Sequence, residues 1–170
     1  MKRSTLARTK TLSITASEFW GENIVPDVTP GMISRYALSD EQALLAKIRH
    51  NRLLDFFTGF ICYSLQTHLK TTIPGIGQVE TDELYIGIDR RGGHYVLTVQ
   101  ATGKNKKIRA AQIKQDMAVA AIRFPKLIAH HFVARFMEKN LIALFELEQT
   151  REGIRISSEK HYKLVPSENL

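Results

Sequence analysis

The chain contains one cysteine, Cys62, among its 170 residues, which excludes an internal disulfide and any metal site built from several cysteines. Because apolar residues such as Phe60 and Tyr63 surround Cys62, we expect it to be a small buried hydrophobic residue. No apolar run approaches the roughly 18 residues that a transmembrane helix needs, so no membrane partner is expected through such a helix. These absences predict a protein of the reducing cytoplasm.

The first residues, MKRSTLARTKTLSITASEF, are basic and rich in hydroxyl groups, but they lack the apolar core of a secretory signal. Such a stretch is typical of a transit peptide or of an arm that contacts DNA phosphates. Pro26 and the Pro30–Gly31 pair indicate little regular structure further along. The sequence therefore predicts an N-terminal arm over residues 1–38 and a single α/β domain over residues 39–170.

Positive charge is in excess. The sequence has 24 Lys and Arg residues against 17 Asp and Glu, a formal net charge of +7 and a pI near 9.6. This excess favours a polyanionic partner, with nucleic acid first and an anionic membrane surface second. The alternative is a basic protein whose charge has no specific partner.

A helix is predicted from Ser39 onwards. Ser39 is a favourable N-cap, and Asp40 and Glu41 suit the positive end of the helix dipole. Apolar residues continue at helical spacing through FICYSLQTHLK, and Gly59 is expected to kink this helix or to divide it in two. The stretch TTIPGIG is expected to end the helical part.

Strands are predicted in the second half of the chain. Residues 78–88 and 94–100 alternate between apolar and polar side chains on either side of DRRGG, which predicts a β-hairpin. KKIRAAQIKQDMAVAAIRF predicts a helix, and two strands and a short final pair are predicted after it. These last elements are LIAHHFVARFM, LIALFELE, GIRISSE and HYKLV. The order indicates a mixed α/β or α+β fold.

Three acids, Glu80, Asp82 and Glu83, open the first strand of the hairpin, and the polar Gln100 ends the second. A strand is pleated with a period of two residues, so Glu80 and Asp82 project to one face and Glu83 to the other. Two such carboxylates and an oxygen donor from the paired strand can bind Mg²⁺, which polarises a phosphodiester and acidifies a bound water. The alternative is a solvated strand edge that discourages aggregation.

The stretch VETDELYIGID is followed by a turn, by HYVLTVQATGK and by a predicted helix. Residues 40–137, which contain these elements, resemble the core of the PD-(D/E)xK nuclease superfamily. This superfamily includes restriction endonucleases and Holliday-junction resolvases. The resemblance implies a restriction-endonuclease-like core, a central mixed sheet flanked by helices in the order αβββαβ with extra C-terminal strands. It implies a nuclease-like domain over residues 39–170 that hydrolyses DNA with Mg²⁺ or Mn²⁺. Restriction-type enzymes usually cut both strands as dimers, so a homodimer is expected.

The resemblance also assigns roles to individual residues. Asp82 matches the metal-binding Asp of the first active strand, and Gln112 matches a Gln that several branches carry on the following helix. Gln100 stands where the family has Glu or Asp, and Thr102 where it has the catalytic Lys. Gln100 can still offer a carbonyl oxygen to a metal, whereas Thr102 carries no charge. The accessory acids implied are Glu80 and Glu41.

The missing Lys leaves three hypotheses open. Lys104 returns to the strand face of Thr102 if the strand continues, and it is the candidate replacement. In the first hypothesis the protein is a metal-dependent DNA endonuclease; in the second it is an inactive nuclease-fold protein that binds nucleic acid. In the third it is a structural protein with incidental charge. The endonuclease would use Asp82, Gln100, Thr102 and Lys104, with Glu80 as a further metal ligand.

The loop GKNKK and the following Arg109 place several cations before a predicted helix. Lysines there oppose the helix dipole, whereas cations together with backbone amides suit a phosphate group. The alternative is a solvated loop. The predicted nucleic-acid contacts are Lys104, Lys106, Lys107, Arg109 and Gln112.

Overall fold

A computed structural model describes residues 11–12, 21–104 and 106–170. The helices in these ranges are α1 (Gly31–Tyr36), α2 (Asp40–His50), α3 (Leu53–Thr58) and α4 (Ala110–Arg123), with a 3₁₀ turn at Ser167–Asn169. The strands are β1 (Thr11–Leu12), β2 (Glu22–Pro26), β3 (Ile61–Ile73), β4 (Gly77–Ile88), β5 (His94–Thr102), β6 (Ile108–Arg109), β7 (Ile128–Glu138), β8 (Leu141–Thr150) and β9 (Gly153–Val165). None of these helices combines the length and the apolar character needed to cross a bilayer.

Seven of the strands form one mixed sheet in the order β2-β9-β8-β7-β5-β4-β3. The pairs β2/β9 and β5/β7 are parallel, and the other neighbours are antiparallel. Strands β1 and β6 form a separate antiparallel pair. The prediction of a mixed α+β fold with a central mixed sheet is confirmed.

Helices cover both faces of the sheet. Successive residues of a strand point to opposite faces, and β5 shows this directly. Leu97 belongs to one buried cluster with Leu44 of α2, while its neighbour Val96 packs with Ala120 of α4 in another. Because β5 is buried on both faces, its end is enclosed between α2 and α4.

The helix predicted to run from Ser39 towards residue 69 is wrong beyond α3. Ser39 does cap α2, since its Oγ accepts a hydrogen bond from the amide of Gln42 at 3.1 Å. Gly59, with a left-handed φ of 80°, ends α3, and the chain continues as the long strand β3. Short apolar spacings fit both a helix and a strand, and pairing of β3 with β4 decides for the strand.

The C-terminal prediction also needs correction. The two short strands predicted over residues 153–165 are one continuous strand, β9, which pairs with β8 on one side and β2 on the other. Within the segment assigned to the arm, β2 therefore joins the main sheet, and α1 follows it. Residues 1–10 and 13–20 of that segment lie outside the described residues.

Candidate functional site

A cavity of about 320 Å³ lies beside the middle of β4 and the end of β5, next to the N-termini of α2 and α4. Its position follows from the topology, because the first turns of both helices meet the end of β5 at the point where β4 leaves its pairing with β5. Several residues predicted from the sequence line it: Asp82, Gln100, Thr102, Lys106, Lys107 and Gln112, together with Glu41. The cavity therefore brings most of the predicted site together.

Asp82 lies just beyond the regular pairing of β4 with β5, which ends at the Glu83–Val99 pair. Its Oδ2 accepts a hydrogen bond from the backbone amide of Ala101 at 2.9 Å. Burial raises the pKa of Asp82, and the bond from Ala101 opposes this shift only in part. A partly buried carboxylate of this kind is stabilised in its charged form by a nearby cation.

His68 is a residue that the sequence analysis missed. The pairs Thr67–Glu83 and Leu69–Thr81 place His68 opposite Asp82 on the adjacent strand. Its backbone is left-handed, with φ of 49°, which is unusual for a non-glycine residue inside a strand. The residue escaped notice because this part of the chain was predicted to be helical.

His68, Glu80 and Asp82 form a group that can hold a metal ion. Each offers one ligand atom, and these atoms lie within 4.8 Å of one another; His68 Nδ1 is 3.2 Å from Glu80 Oε1. Two ligands of a first-row ion at about 2.1 Å are at most about 4.2 Å apart, so small side-chain rotations suffice. The donors present therefore fit a divalent ion, and one imidazole with two carboxylates suits Mn²⁺ or Zn²⁺ better than Mg²⁺.

The alternative of a solvated sheet edge is wrong for Glu83, which is buried, whereas Glu80 is exposed. Strand β4 lies between β3 and β5, but its pairing with β5 ends at Glu83, so residues 77–82 pair with β3 alone. Glu83 points towards α2 and is not among the residues that line the cavity. Its fully buried carboxylate binds Arg49 at 2.7 Å and accepts a hydrogen bond from Ser64 at 2.7 Å. Glu83 is thus a structural ion-pair partner.

Gln100 is held by an acid that the sequence analysis did not single out, Asp116 of α4. Gln100 Nε2 donates to the Asp116 carboxylate at 2.9 and 3.1 Å, and the Thr81 hydroxyl donates to it at 2.8 Å. Burial raises the pKa of Asp116 to about 7, although the hydrogen bonds from Gln100 and Thr81 act to lower this pKa. A signal was present: Asp116 lies on the apolar face of α4 between the buried Ile113 and Ala120.

Lys106 is one of the basic residues that line the cavity. Thr102 is buried, and its hydroxyl donates to the carbonyl oxygen of Lys106 at 3.2 Å. Lys106 Nζ lies 2.8 Å from Glu41 Oε1, and this contact lowers the pKa of Glu41 and raises that of Lys106. Lys104, the predicted replacement for the family Lys, is exposed and is not among the residues that line the cavity.

The other predicted phosphate contacts surround the start of α4. Lys107 and Arg109 are exposed, and Lys107 lines the cavity. Gln112 Oε1 accepts a hydrogen bond from the Arg109 amide at 3.4 Å, so the Gln112 side chain helps to cap the N-terminus of α4. Arg135 Nη2 donates to the Lys106 carbonyl at 2.8 Å and fixes this loop. Cations and a helix N-terminus are both favourable for an anion.

Comparisons of the chain with protein-family models, curated proteins and solved structures gave no match. A functional proposal therefore rests on the chemistry of the site and not on a relative.

Proposed function

We propose that this protein is a metal-dependent endonuclease of the PD-(D/E)xK type that hydrolyses DNA phosphodiester bonds. The observation that carries the proposal is the cluster of His68, Glu80 and Asp82, two of whose members open onto the same cavity as Lys106. A divalent-ion site next to a cation and a helix N-terminus is an arrangement suited to a phosphodiester.

Asp82 is the principal metal ligand in this proposal, with Glu80 and His68 beside it. A bound divalent ion would polarise the phosphodiester and acidify a water molecule. The half-buried position of Asp82 limits access of bulk water, which strengthens its electrostatic interactions. Gln100 supplies a neutral oxygen where the family has a carboxylate, so the site carries less negative charge than the family pattern.

Lys106 takes the part that the sequence analysis gave to Lys104. Its ammonium group is exposed, and Glu41 holds it at the cavity. A cation at this position stabilises negative charge that develops on the phosphate during hydrolysis. Lys107 and the first turn of α4 extend the positive surface along which a polyanionic backbone can bind.

The arrangement of elements supports the same proposal by analogy. Helix α2 precedes three antiparallel neighbours, β3, β4 and β5, and α4 leads from β5 to the parallel strand β7. The candidate residues Asp82 and Gln100 lie in the middle of β4 and near the end of β5.

A second candidate is a nucleic-acid-binding protein without catalysis. It is favoured by Gln100 and Thr102, which replace the acid and the ammonium group of the family motif, and by the pairing of Lys106 with Glu41. In this case the basic surface still binds DNA, but the cavity does not support hydrolysis.

One experiment distinguishes the candidates. Plasmid and single-stranded DNA are incubated with the protein in Mg²⁺ or Mn²⁺, alongside Asp82→Ala and a control, Glu148→Gln, which removes a strand carboxylate paired with Arg155 away from the cavity. Cleavage that Asp82→Ala abolishes and Glu148→Gln retains supports the endonuclease. Salt-sensitive DNA binding without cleavage by the wild-type protein supports the second candidate, and neither binding nor cleavage rejects both.

A further inference from the structure

The carboxylate of Asp116 joins the two strands that form the cavity. It accepts hydrogen bonds from Thr81 of β4 and from Gln100 of β5, and Thr81 directly precedes the candidate ligand Asp82. Asp116 is 1% exposed and does not itself line the cavity. A buried helix residue thus contacts both strands at the point where they hold the candidate site.

The geometry of the Gln100 amide follows from this contact. Gln100 Nε2 lies 2.9 and 3.1 Å from the two carboxyl oxygens of Asp116, so the Gln100 group that faces Asp116 is the donor Nε2. The oxygen and nitrogen of a side-chain amide project in different directions. Fixing Nε2 on the helix therefore turns Oε1 away from α4, and Gln100 lines the cavity.

We propose that Asp116 is a positioning residue, which holds Gln100 so that its carbonyl oxygen faces the cavity as a neutral ligand for the metal or its bound water. The inference rests on the proposed function and deepens it. Without Asp116 the amide of Gln100 can rotate and present Nε2 to the cavity. An N–H group directed at a cation site is repulsive, so metal binding weakens.

The first test observes the Gln100 side-chain amide by ¹⁵N–¹H NMR in the metal-free protein, with Gln100→Leu to assign its signal. In Asp116→Ala we expect this signal to shift and to lose its protection from solvent exchange. The control is Thr98→Val. Thr98 lies on the same strand and is fully buried. The Thr98→Val variant loses a buried hydrogen bond of 2.8 Å between the Thr98 hydroxyl and His131 Nδ1. A Gln100 signal unchanged in Asp116→Ala overturns the inference.

The second test measures Mn²⁺ affinity by calorimetry in the same variants. We expect Asp116→Ala to bind Mn²⁺ about tenfold more weakly, as is typical when a partner of a metal ligand is removed, and Thr98→Val to match the wild type. Equal losses in both variants would show that Asp116 only stabilises the fold and would overturn the inference. If Asp116→Ala does not fold, Asp116→Leu replaces it, because leucine has a similar branched shape and offers no hydrogen-bond acceptor to Gln100 Nε2.

A double variant that exchanges the carboxylate and amide groups between Asp116 and Gln100 provides a rescue test. Gln100→Glu alone places two carboxylates in contact and should lower stability and Mn²⁺ affinity. Adding Asp116→Asn gives the new Glu a donor, and we expect both properties to recover; failure to recover contradicts the inference. If the wild-type protein binds no Mn²⁺, the metal site of the proposed function is rejected, and the NMR signal alone decides whether Asp116 positions Gln100.

Discussion

His68 lies opposite Asp82 on the neighbouring strand, and its backbone is left-handed, with φ of 49°. A left-handed conformation costs a non-glycine residue roughly 1 kcal/mol or more. The only described residues with positive φ besides glycines are His68 and Arg52. The cost at His68 falls beside the candidate metal ligands, where a strained residue often has a functional role.

Replacing His68 by Gly should therefore separate stability from metal binding. Glycine adopts this conformation freely but loses about 0.5–1 kcal/mol in a strand, so we expect the free energy of unfolding to stay within about 1 kcal/mol of wild type. Mn²⁺ affinity should fall by about tenfold or more because an imidazole ligand is removed. Chemical denaturation and calorimetry measure the two quantities. A His94→Gly control removes another exposed strand histidine and should leave Mn²⁺ affinity unchanged.

The local part of this site was predictable from the sequence. Period-two alternation predicted the β4–β5 hairpin, and the same period placed Glu80 and Asp82 near each other. These relationships involve residues close in the chain or in one hairpin. They follow from the geometry of a β-strand, which the alternation of apolar and polar residues in the sequence indicates directly.

The remaining part depends on tertiary contacts. His68 reaches Asp82 only because β3 pairs with β4, and its stretch also fits a helical pattern. Lys106 lies at the cavity in place of Lys104 for two reasons. The chain turns after Thr102, where the Lys106 amide donates to the Gly103 carbonyl at 3.1 Å. In addition, Glu41, which is 65 residues away in the sequence, binds the ammonium group of Lys106. No local pattern reports such contacts.

Thr102→Lys tests whether the cavity lacks only a cation. Thr102 lines the cavity and is 5% exposed, so a longer side chain there must extend into it. We expect DNA cleavage with Mn²⁺ to increase because an ammonium group beside the phosphate stabilises developing charge. Stability should fall by about 1–2 kcal/mol with the lost hydroxyl hydrogen bonds. Thr102→Met is the control of similar length without charge, and equal cleavage by both variants would contradict the explanation.

Lys106 and Lys107 should contribute to DNA affinity through phosphate contacts. Each such contact adds about 0.9 to the slope of log K against log salt concentration for duplex DNA. We expect Lys106→Ala/Lys107→Ala to lower that slope by roughly 2, as measured by fluorescence anisotropy with one duplex over a salt series. The matched control, Lys126→Ala/Arg151→Ala, removes two exposed cations that do not line the cavity. Equal changes in both double variants would indicate non-specific attraction alone.

The buried His131 should make the protein less stable in acid. Burial lowers the pKa of His131 from 6.5 to about 4, with a further lowering by His130 and an opposing effect of Glu146, while its Nδ1 bonds the Thr98 hydroxyl at 2.8 Å. Between these two pKa values the unfolded chain binds a proton that the folded state does not. Stability is therefore complete above about pH 6.5 and falls as the pH decreases towards 4.

The expected loss across this interval is about 3 kcal/mol, from about 1.4 kcal/mol for each unit of the pKa shift. Chemical denaturation at a series of pH values, with chelator present to exclude metal effects, measures it. His131→Asn should be less stable than wild type at neutral pH, since it disturbs the buried contact with Thr98, but its stability should depend much less on pH. His130→Asn, at a partly exposed position on the other face of β7, should retain the acid-dependent loss. An unchanged pH profile in His131→Asn would assign the loss to other groups.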